Sequence, residues 1–578
     1  MLVLRVCFLA ILTQPTAVLG AFASPEPSFH GAKRTAGGVH LPVRRQAVSG
    51  GGKSAKEMGS IGLGDFLDVT YNVLIEIGQT QTPVVLDTGS SDLWVLSTAC
   101  GAGCSSGTQP LYPLSTFHAA NMQAQLLYGD SMTGTHASGP IGYDTVCLAG
   151  LVLEEQYFAA INDTNTAVLQ TNSAGIFGLG FPLNSIVWNE VFQSQPSHAV
   201  SFKKALRSPD ASSHLANTLR NLVIRFFPKT HLNASSPSPS PPPQFKRQST
   251  STASAMFSSY TSLAPLLPRL VAQGVLALPM FAITLQRDTI EIGGNQGTLS
   301  IGELPPGVQN SSLTWVPVRG YPPSQSGLTP PVDSPNEVYP IAWEIPLDDV
   351  YLDGVKLPRS TLSAPSISLS ALVDTGNSLI RGPADVVSHI PTRFACSAPH
   401  TLAFSIGGRL FPVDARDFVS QARSGSVAEC MANVAPTDAP VLGAGYLYSW
   451  SLGDPFLKGV LAAFHYGDLA RPSQDPPRVG LLSTVPGDAA AKLVADVAAA
   501  AAGGLDLPEL SDPAPTGMLP AASTALNGVP LASAGGGRGQ GGRGGQGGQA
   551  NGVRDAMRVN VWTVGVAMVL WVVGRGLA

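Results

Sequence analysis

Charge is what this chain has least of: only 12% of its 578 residues are charged, and the formal net charge is −4. A nucleic-acid partner requires a basic field that neutralises phosphates, so that class is excluded. Long apolar runs are scarce too. The continuous apolar stretch Val561–Val573 is short for a membrane span, which takes about 20 residues. No long amphipathic helix with caps stands out. Cysteine is sparse, six in all, and Cys7 lies in the N-terminal apolar segment. Cys100, Cys104, Cys147, Cys396 and Cys430 remain; their odd number leaves one thiol unpaired or intermolecular.

What is present is apolar bulk, 44% of the chain, enough at this length for a large core and more than one domain. The opening "MLVLRVCFLAILTQPTAVLG", closed by small residues at Ala21–Ala23, reads as a secretory signal over residues 1–23. An oxidising compartment is then expected, and the acceptor sequons at Asn162, Asn233 and Asn310 fit a secreted surface. Residues 24–45 are Pro/Gly-rich and basic, with dibasic pairs at Lys33-Arg34 and Arg44-Arg45, and read as a short propeptide. From Asp65 the texture turns β. "DVTYNVLIEIG" alternates and is β-branched, and "TVCLAGLVL", "FAITL", "LTWVPV", "TLAFSIGG" and "VGLLS" repeat the signal between turn residues.

Two stretches break that pattern. From about 191 to 256 the chain carries Lys203, Lys204, Arg207, Arg220, Arg225, Lys229, Lys246 and Arg247 against one acidic residue, Asp210. With "SSPSPSPPPQ" inside it, this reads as a low-complexity surface insertion. After Ser483 the strand signals stop, and residues 485–550, Ala-rich and then Gly-rich, read as a disordered stalk. Small residues at Asn551-Gly552, a polar spacer and the short apolar tail make 551–578 a GPI-attachment signal, with Asn551 as the attachment site.

One phrase is written twice, "VVLDTGSSDLWVLS" from Val84 and "ALVDTGNSLI" from Ala371. A single Asp-Thr-Gly is common by chance. Two copies, each after an apolar run and each continued by a polar residue and Ser, imply two related β halves. Face to face, Asp87 and Asp374 could not both ionise and would share a proton. One would act as base toward water while its protonated partner polarised a carbonyl, with no cofactor, metal or covalent nucleophile. Gly89 and Gly376 permit a tight turn and close approach of the halves. Thr88 and Thr375 offer buried hydroxyls that can lock one loop to the other.

At these residues the chain resembles the pepsin-like aspartic proteases. "LWV" at Leu93–Val95 follows the first copy, and "LLYGDSMTG" at Leu126–Gly134 resembles the family's flap hairpin. The resemblance implies that Tyr128, with Gly129 and Asp130, closes over substrate and that Trp94 is the hydrogen-bond partner of Tyr128. "GIFGLGFP" at Gly175–Pro182 and "SLGDPFLKGVLAAFHYGD" at Ser451–Asp468 resemble the segments that brace the two aspartate loops. "WEIPLDDVYLDG" at Trp343–Gly354 resembles the opening strands of the second lobe. It further implies an all-β bilobal fold with the cleft between lobes at 46–310 and 311–484, and the disulfides Cys100–Cys104 and Cys396–Cys430. Cys147 is then the odd cysteine, read as a buried inert thiol. Proton sharing by the aspartate pair is known behaviour of that family and enters here as implied by the likeness.

Two features depart from the family pattern. Ser90 can donate to the outer oxygen of Asp87, but the matching place in the second copy, where the family has Thr or Ser, holds Asn377. Its amide is expected to donate to Asp374. GPI-anchored fungal members, the yapsin-like group, carry an acidic insertion where this one is basic, so their cleavage after basic residues is not carried over. The expected activity is therefore a secreted, cell-surface aspartic endopeptidase acting as a monomer on proteins or peptides. A catalytically weak member of the fold serving as a surface binding protein is the alternative.

Overall fold

The computed structural model describes residues 33–34, 39–47, 69–101, 104, 109–129, 134–148, 150–169, 173–195, 250–285, 297–305, 307–443, 445–504 and 506–507. The signal segment, Asp130, Asn233, Asn551 and the rest of 551–578 lie outside them.

Strand β1 (Val39–Ala47) pairs antiparallel with β2 (Val69–Ile77), Arg44 and Arg45 standing opposite Asn72 and Tyr71. The alternation in β2 does what its period dictates: Tyr71, Val73, Ile75 and Ile77 are fully buried, while Leu74 and Glu76 are half-buried. Gly78, at φ +60°, turns the chain into β3 (Thr80–Asp87), and a Cβ there would lie 2.6 Å from the Asp144 carboxylate. The unbroken run Val84–Leu86 is buried on both faces, as an inner strand requires. Next come β4 (Leu93–Leu96), the long hairpin β5 (His118–Tyr128) and β6 (Thr135–Leu148), β7 (Leu151–Ile161) and β8 (Gly175–Gly178). Their order is β2-β3-β8-β4-β7, with β3–β8 and β4–β7 parallel.

After helix α1 (Ile186–Ser194) the chain runs through α2 (Thr250–Leu263) and α3 (Leu266–Ala272) to β9 (Met280–Thr284), β10 (Gly297–Ile301) and β11 (Thr314–Pro317). A second lobe follows, with β12 (Glu344–Pro346), β13 (Ser370–Val373), β14 (Ile380–Pro383), β15 (Val434–Thr437) and β16 (Trp450–Leu452). Their order, β12-β13-β16-β14-β15, reproduces the first lobe strand for strand. The pairs β13–β16 and β14–β15 are the parallel ones. The sequence repeat is thus a repeat of topology. Finally β17 (Val460–His465) and β18 (Arg478–Ser483) complete an antiparallel sheet β11-β18-β17-β9-β10-β1 that joins the lobes. On it packs an aromatic cluster in which Phe281 stacks on Phe464 at 4.7 Å and Trp343 lies 4.9 Å from Tyr466 and 4.4 Å from Phe181.

Two expected boundaries are corrected. The insertion read as about 191–256 is narrower. Val191 and Phe192 are the buried last turn of α1, and Met256 begins a buried face of α2 that continues to Tyr260. Met256, Tyr260 and Leu263 fall at helical spacing, but they are few among the Ser, Thr and Ala that dominate α2, so the stretch read as low-complexity. The disordered stalk does not begin at 485, because Ala489–Gly503 form helix α4. Its Leu493, Val497 and Ala500, spaced by four and three, bury one stripe against the helix Ala415–Phe418 and the strand Ser426–Ala432. Alanine's helix propensity does the rest. The chain beyond is pinned where Gly425 donates its N–H to Asp506 at 2.6 Å and Leu507 donates to Gln421 at 2.9 Å.

Because Leu493 is 1% exposed and Val494 42%, Leu493→Ala is expected to lower the unfolding free energy by about 2–5 kcal/mol. Val494→Ala should change it by roughly 0.5 kcal/mol or less. Denaturant titration checks the pair, and equal effects would mean that α4 is not docked.

Candidate active site

Asp87 ends β3 and Asp374 follows β13, each at the mouth of a tight Asp-Thr-Gly turn. The two turns are locked by a reciprocal set of hydrogen bonds. Thr88 N–H donates to Thr375 Oγ1 at 3.0 Å, and Thr375 N–H donates to Thr88 Oγ1 at 2.9 Å. Each hydroxyl then donates across the lobes, Thr88 to the Val373 carbonyl at 2.7 Å and Thr375 to the Leu86 carbonyl at 2.8 Å. Both threonines are buried, so every one of these polar groups depends on its partner.

The glycines set how close the carboxyl groups come. A Cβ on Gly89 would lie 2.5 Å from Asp374 Oδ1, and one on Gly376 would lie 2.5 Å from Asp87 Oδ1. Only hydrogen fits there. Gly89 N–H donates to Asp87 Oδ1 at 2.8 Å and Gly376 N–H donates to Asp374 Oδ1 at 3.0 Å. The carboxyl groups are hydrogen-bonded to each other. Burial raises both above the ordinary carboxylate range; for Asp374 the facing charge of Asp87 adds to burial. Facing each other in this way, the two groups cannot both ionise and so share one proton. Such a site offers a base and an acid in adjacent groups.

The outer oxygens are served differently. Ser90 Oγ donates to Asp87 Oδ2 at 2.5 Å. The Tyr128 hydroxyl reaches Ser90 in turn and accepts from Trp94 Nε1 at 2.7 Å. The implied pairing of Trp94 with Tyr128 is therefore present, at the turn end of the β5–β6 hairpin, where Tyr128 stands opposite Thr135 and Gly129 has φ +83°. On the other side, the expected bond from Asn377 to Asp374 is not made. Asn377 Nδ2 donates instead to Ser451 Oγ at 2.8 Å, and Ser451 Oγ donates to Asp374 Oδ2 at 3.5 Å. The cause lies in the backbone: Leu379 N–H binds Asn377 Oδ1 at 3.1 Å and turns the amide toward β16.

Behind the first turn, Leu179 N–H donates to the Asp87 carbonyl at 2.8 Å and Gly180 N–H to that of Ser90 at 2.8 Å. Trp343 Nε1 and the Tyr466 hydroxyl both donate to the Leu179 carbonyl, so the aromatic cluster buttresses that loop. Asp92, pushed up to about 6 by burial, accepts from Ser185 Oγ and from the N–H groups of Ile186 and Val187, fixing the start of α1. Across the cleft the Tyr446 hydroxyl donates to Asn184 Oδ1 at 2.7 Å. Ser451 and Asp92 were missed from sequence. The one available signal for Ser451 was a lone hydroxyl inside the apolar "WSL". Cys100–Cys104 and Cys396–Cys430 are both bonded, and Cys147 is buried outside any disulfide. Asn162 and Asn310 are exposed.

The family model for eukaryotic aspartyl proteases matches residues 70–210 and 244–470. An aspartic protease of Phaffia rhodozyma is 25% identical over 431 residues, 71% of this chain and 75% of that protein. Pepsin A of Rhinolophus ferrumequinum is 23% identical over 437 residues, covering 72% and 83%. A pregnancy-associated glycoprotein of Equus caballus is 23% identical over 441 residues, covering 73% and 83%.

Thr88→Val keeps the shape but leaves the Thr375 N–H without its acceptor and the Val373 carbonyl without its donor. It is expected to destabilise the fold by about 1–3 kcal/mol for each such group, and Thr88→Ser by far less. Equilibrium unfolding in urea separates the two variants.

Proposed function

We propose, for a chain that belongs to the eukaryotic aspartyl protease family, with its bilobal all-β fold and aspartic endopeptidase activity, that Asp87 and Asp374 carry the reaction. The observation that carries this reading is the hydrogen-bonded carboxyl pair, held by Thr88 and Thr375, with a donor on each outer oxygen. A water between the carboxyl groups loses a proton to Asp87 as its oxygen attacks the scissile carbonyl carbon. Asp374 gives its proton to the carbonyl oxygen, forming a tetrahedral diol. The C–N bond then breaks as Asp87 gives its proton to the leaving nitrogen and a diol hydroxyl returns one to Asp374, so the pair again holds one proton. Tyr128, with Gly129 and Asp130, closes over the substrate from the flap. Hydrophobic side chains on either side of the scissile bond suit a cleft of this family. The alternative, a catalytically weak binding protein, is disfavoured because both aspartates, both glycines and the flap tyrosine are all in place.

The finer setting is also proposed. The protein is secreted through residues 1–23 and acts as a monomer, since both halves of the pair lie in one chain. It carries sugar at Asn162, Asn233 and Asn310, and is held at the cell surface by a GPI anchor at Asn551. Residues 24–45 form its propeptide. Backbone pairing of Arg44 and Arg45 within β1 implies that cleavage after Arg45 requires this strand to leave its ladder first.

Mature protein is expected to cleave an unfolded protein substrate at acidic pH, and Asp87→Ala or Asp374→Asn to lower kcat about 100-fold or more. Retained turnover in either variant would remove that aspartate from the mechanism. Replacing both Arg44 and Arg45 with Ala should abolish a mature N-terminus at Gln46, as read by mass spectrometry of the secreted protein.

A further inference from the structure

The two halves of the site repeat each other in strand order, in the threonine interlock and in the glycine contacts. They differ in how the outer carboxylate oxygen is held. In the first half the donor is the residue after the glycine, Ser90, one turn from its aspartate. In the second half that residue is Asn377, and the hydroxyl on Asp374 comes from β16, 77 positions further along the chain. Ser451 is 5% exposed and is the one polar residue of Trp450–Leu452, whose other members are buried apolar side chains. Pairing of β13 with β16 places it beside Leu372 and so under the Asp374 turn.

We propose that Ser451 is a positioning residue for Asp374, taking the place that Ser90 holds for Asp87, and that Asn377 acts only through it. This rests on the reading of Asp87 and Asp374 as the reacting pair. The direction of each bond follows from donor chemistry. Asn377 Oδ1 is engaged by the Leu379 N–H, so its NH₂ faces Ser451 and can only donate. An oxygen that accepts from an amide is left to donate its own hydrogen, and the acceptor in reach is Asp374 Oδ2. Asn377 therefore orients Ser451 as Tyr128 orients Ser90, and the Asn377 carbonyl is itself fixed by Asp454 N–H at 2.8 Å. At 3.5 Å against 2.5 Å, the second half holds its carboxylate more loosely than the first. The looser hold favours the proton on Asp374. The titratable groups facing Asp374 are Asp87 on the opposite turn and Tyr446 from the cleft; Asp454 follows on the same segment as Ser451.

Hydrogen bonds to a carboxylate favour its charged form, so removing the Ser451 hydroxyl raises the pH at which Asp374 loses its proton. In the full processed chain, Ser451→Ala is expected to move the basic limb of the kcat/KM profile upward by about half a pH unit or more. Asn377→Ala should move it in the same direction by less. Asn377→Ser returns a direct hydroxyl, and adding Ser451→Ala to it should cause no further movement. Thermal melting of each variant identifies folding defects, which would lower activity without moving the limb. An unmoved limb in Ser451→Ala, or an equal shift in both backgrounds, overturns the proposal. The affinity for a peptide carrying a hydroxyl transition-state mimic, measured across pH, reads the same proton without turnover. If the wild type binds that peptide but hydrolyses nothing, the endopeptidase mechanism fails while the binding profile still decides the role of Ser451.

Discussion

Everything at the centre of this molecule depends on four hydrogen bonds between Thr88 and Thr375 and the strands that carry them. They are buried, and each threonine both receives from the other turn and gives to the strand beneath it, so neither turn is complete alone. The lock brings each glycine against the opposite carboxylate and forces the two acids together. The raised proton affinity of the pair follows from that enclosure. The lobes surround this contact, and the sheet β11-β18-β17-β9-β10-β1 with its aromatic cluster keeps them in register.

Much of this was legible in the residues. The Asp-Thr-Gly copies marked the centre, and the alternation of Tyr71, Val73, Ile75 and Ile77 marked a half-covered strand. The order of the flap and bracing segments, by their likeness to a family, implied the lobes and both disulfides. Each of these signals is local or repeated. What stayed hidden depends on contacts between distant strands. Ser451 meets Asp374 only because β16 lies parallel to β13, and a period of two inside a three-residue strand cannot announce that. Asn377 pointed at the right neighbourhood and the wrong partner, because the Leu379 N–H that turns its amide is a backbone group with no sequence signature. Helix α4 and the ends of the insertion were lost to composition: alanine and serine carry little periodicity until a packing surface selects a face.

The repeat also shows what duplication preserves. Strand order, the threonine lock and the close glycines are the same in both halves, because altering one half alone would break the contact between them. The outer hydrogen bond is not shared across the interface, so each half has satisfied its own oxygen, one from the turn and one from the neighbouring strand. Asymmetry of this sort suits a pair in which one acid must stay charged and the other must stay protonated.

Helix α4 ends where Asp506 and Leu507 are tied to the loop and strand around Gln421 and Gly425, all within the second lobe. The helix and those two bonds form a strain relief, like the clamp on a cable. Any pull on the C-terminal segment is borne by the flank of one lobe, through α4 and the strand that holds Cys430 in its disulfide. Tension applied at the chain's end would therefore meet the flank of the second lobe before it reached β18 and the sheet that joins the lobes.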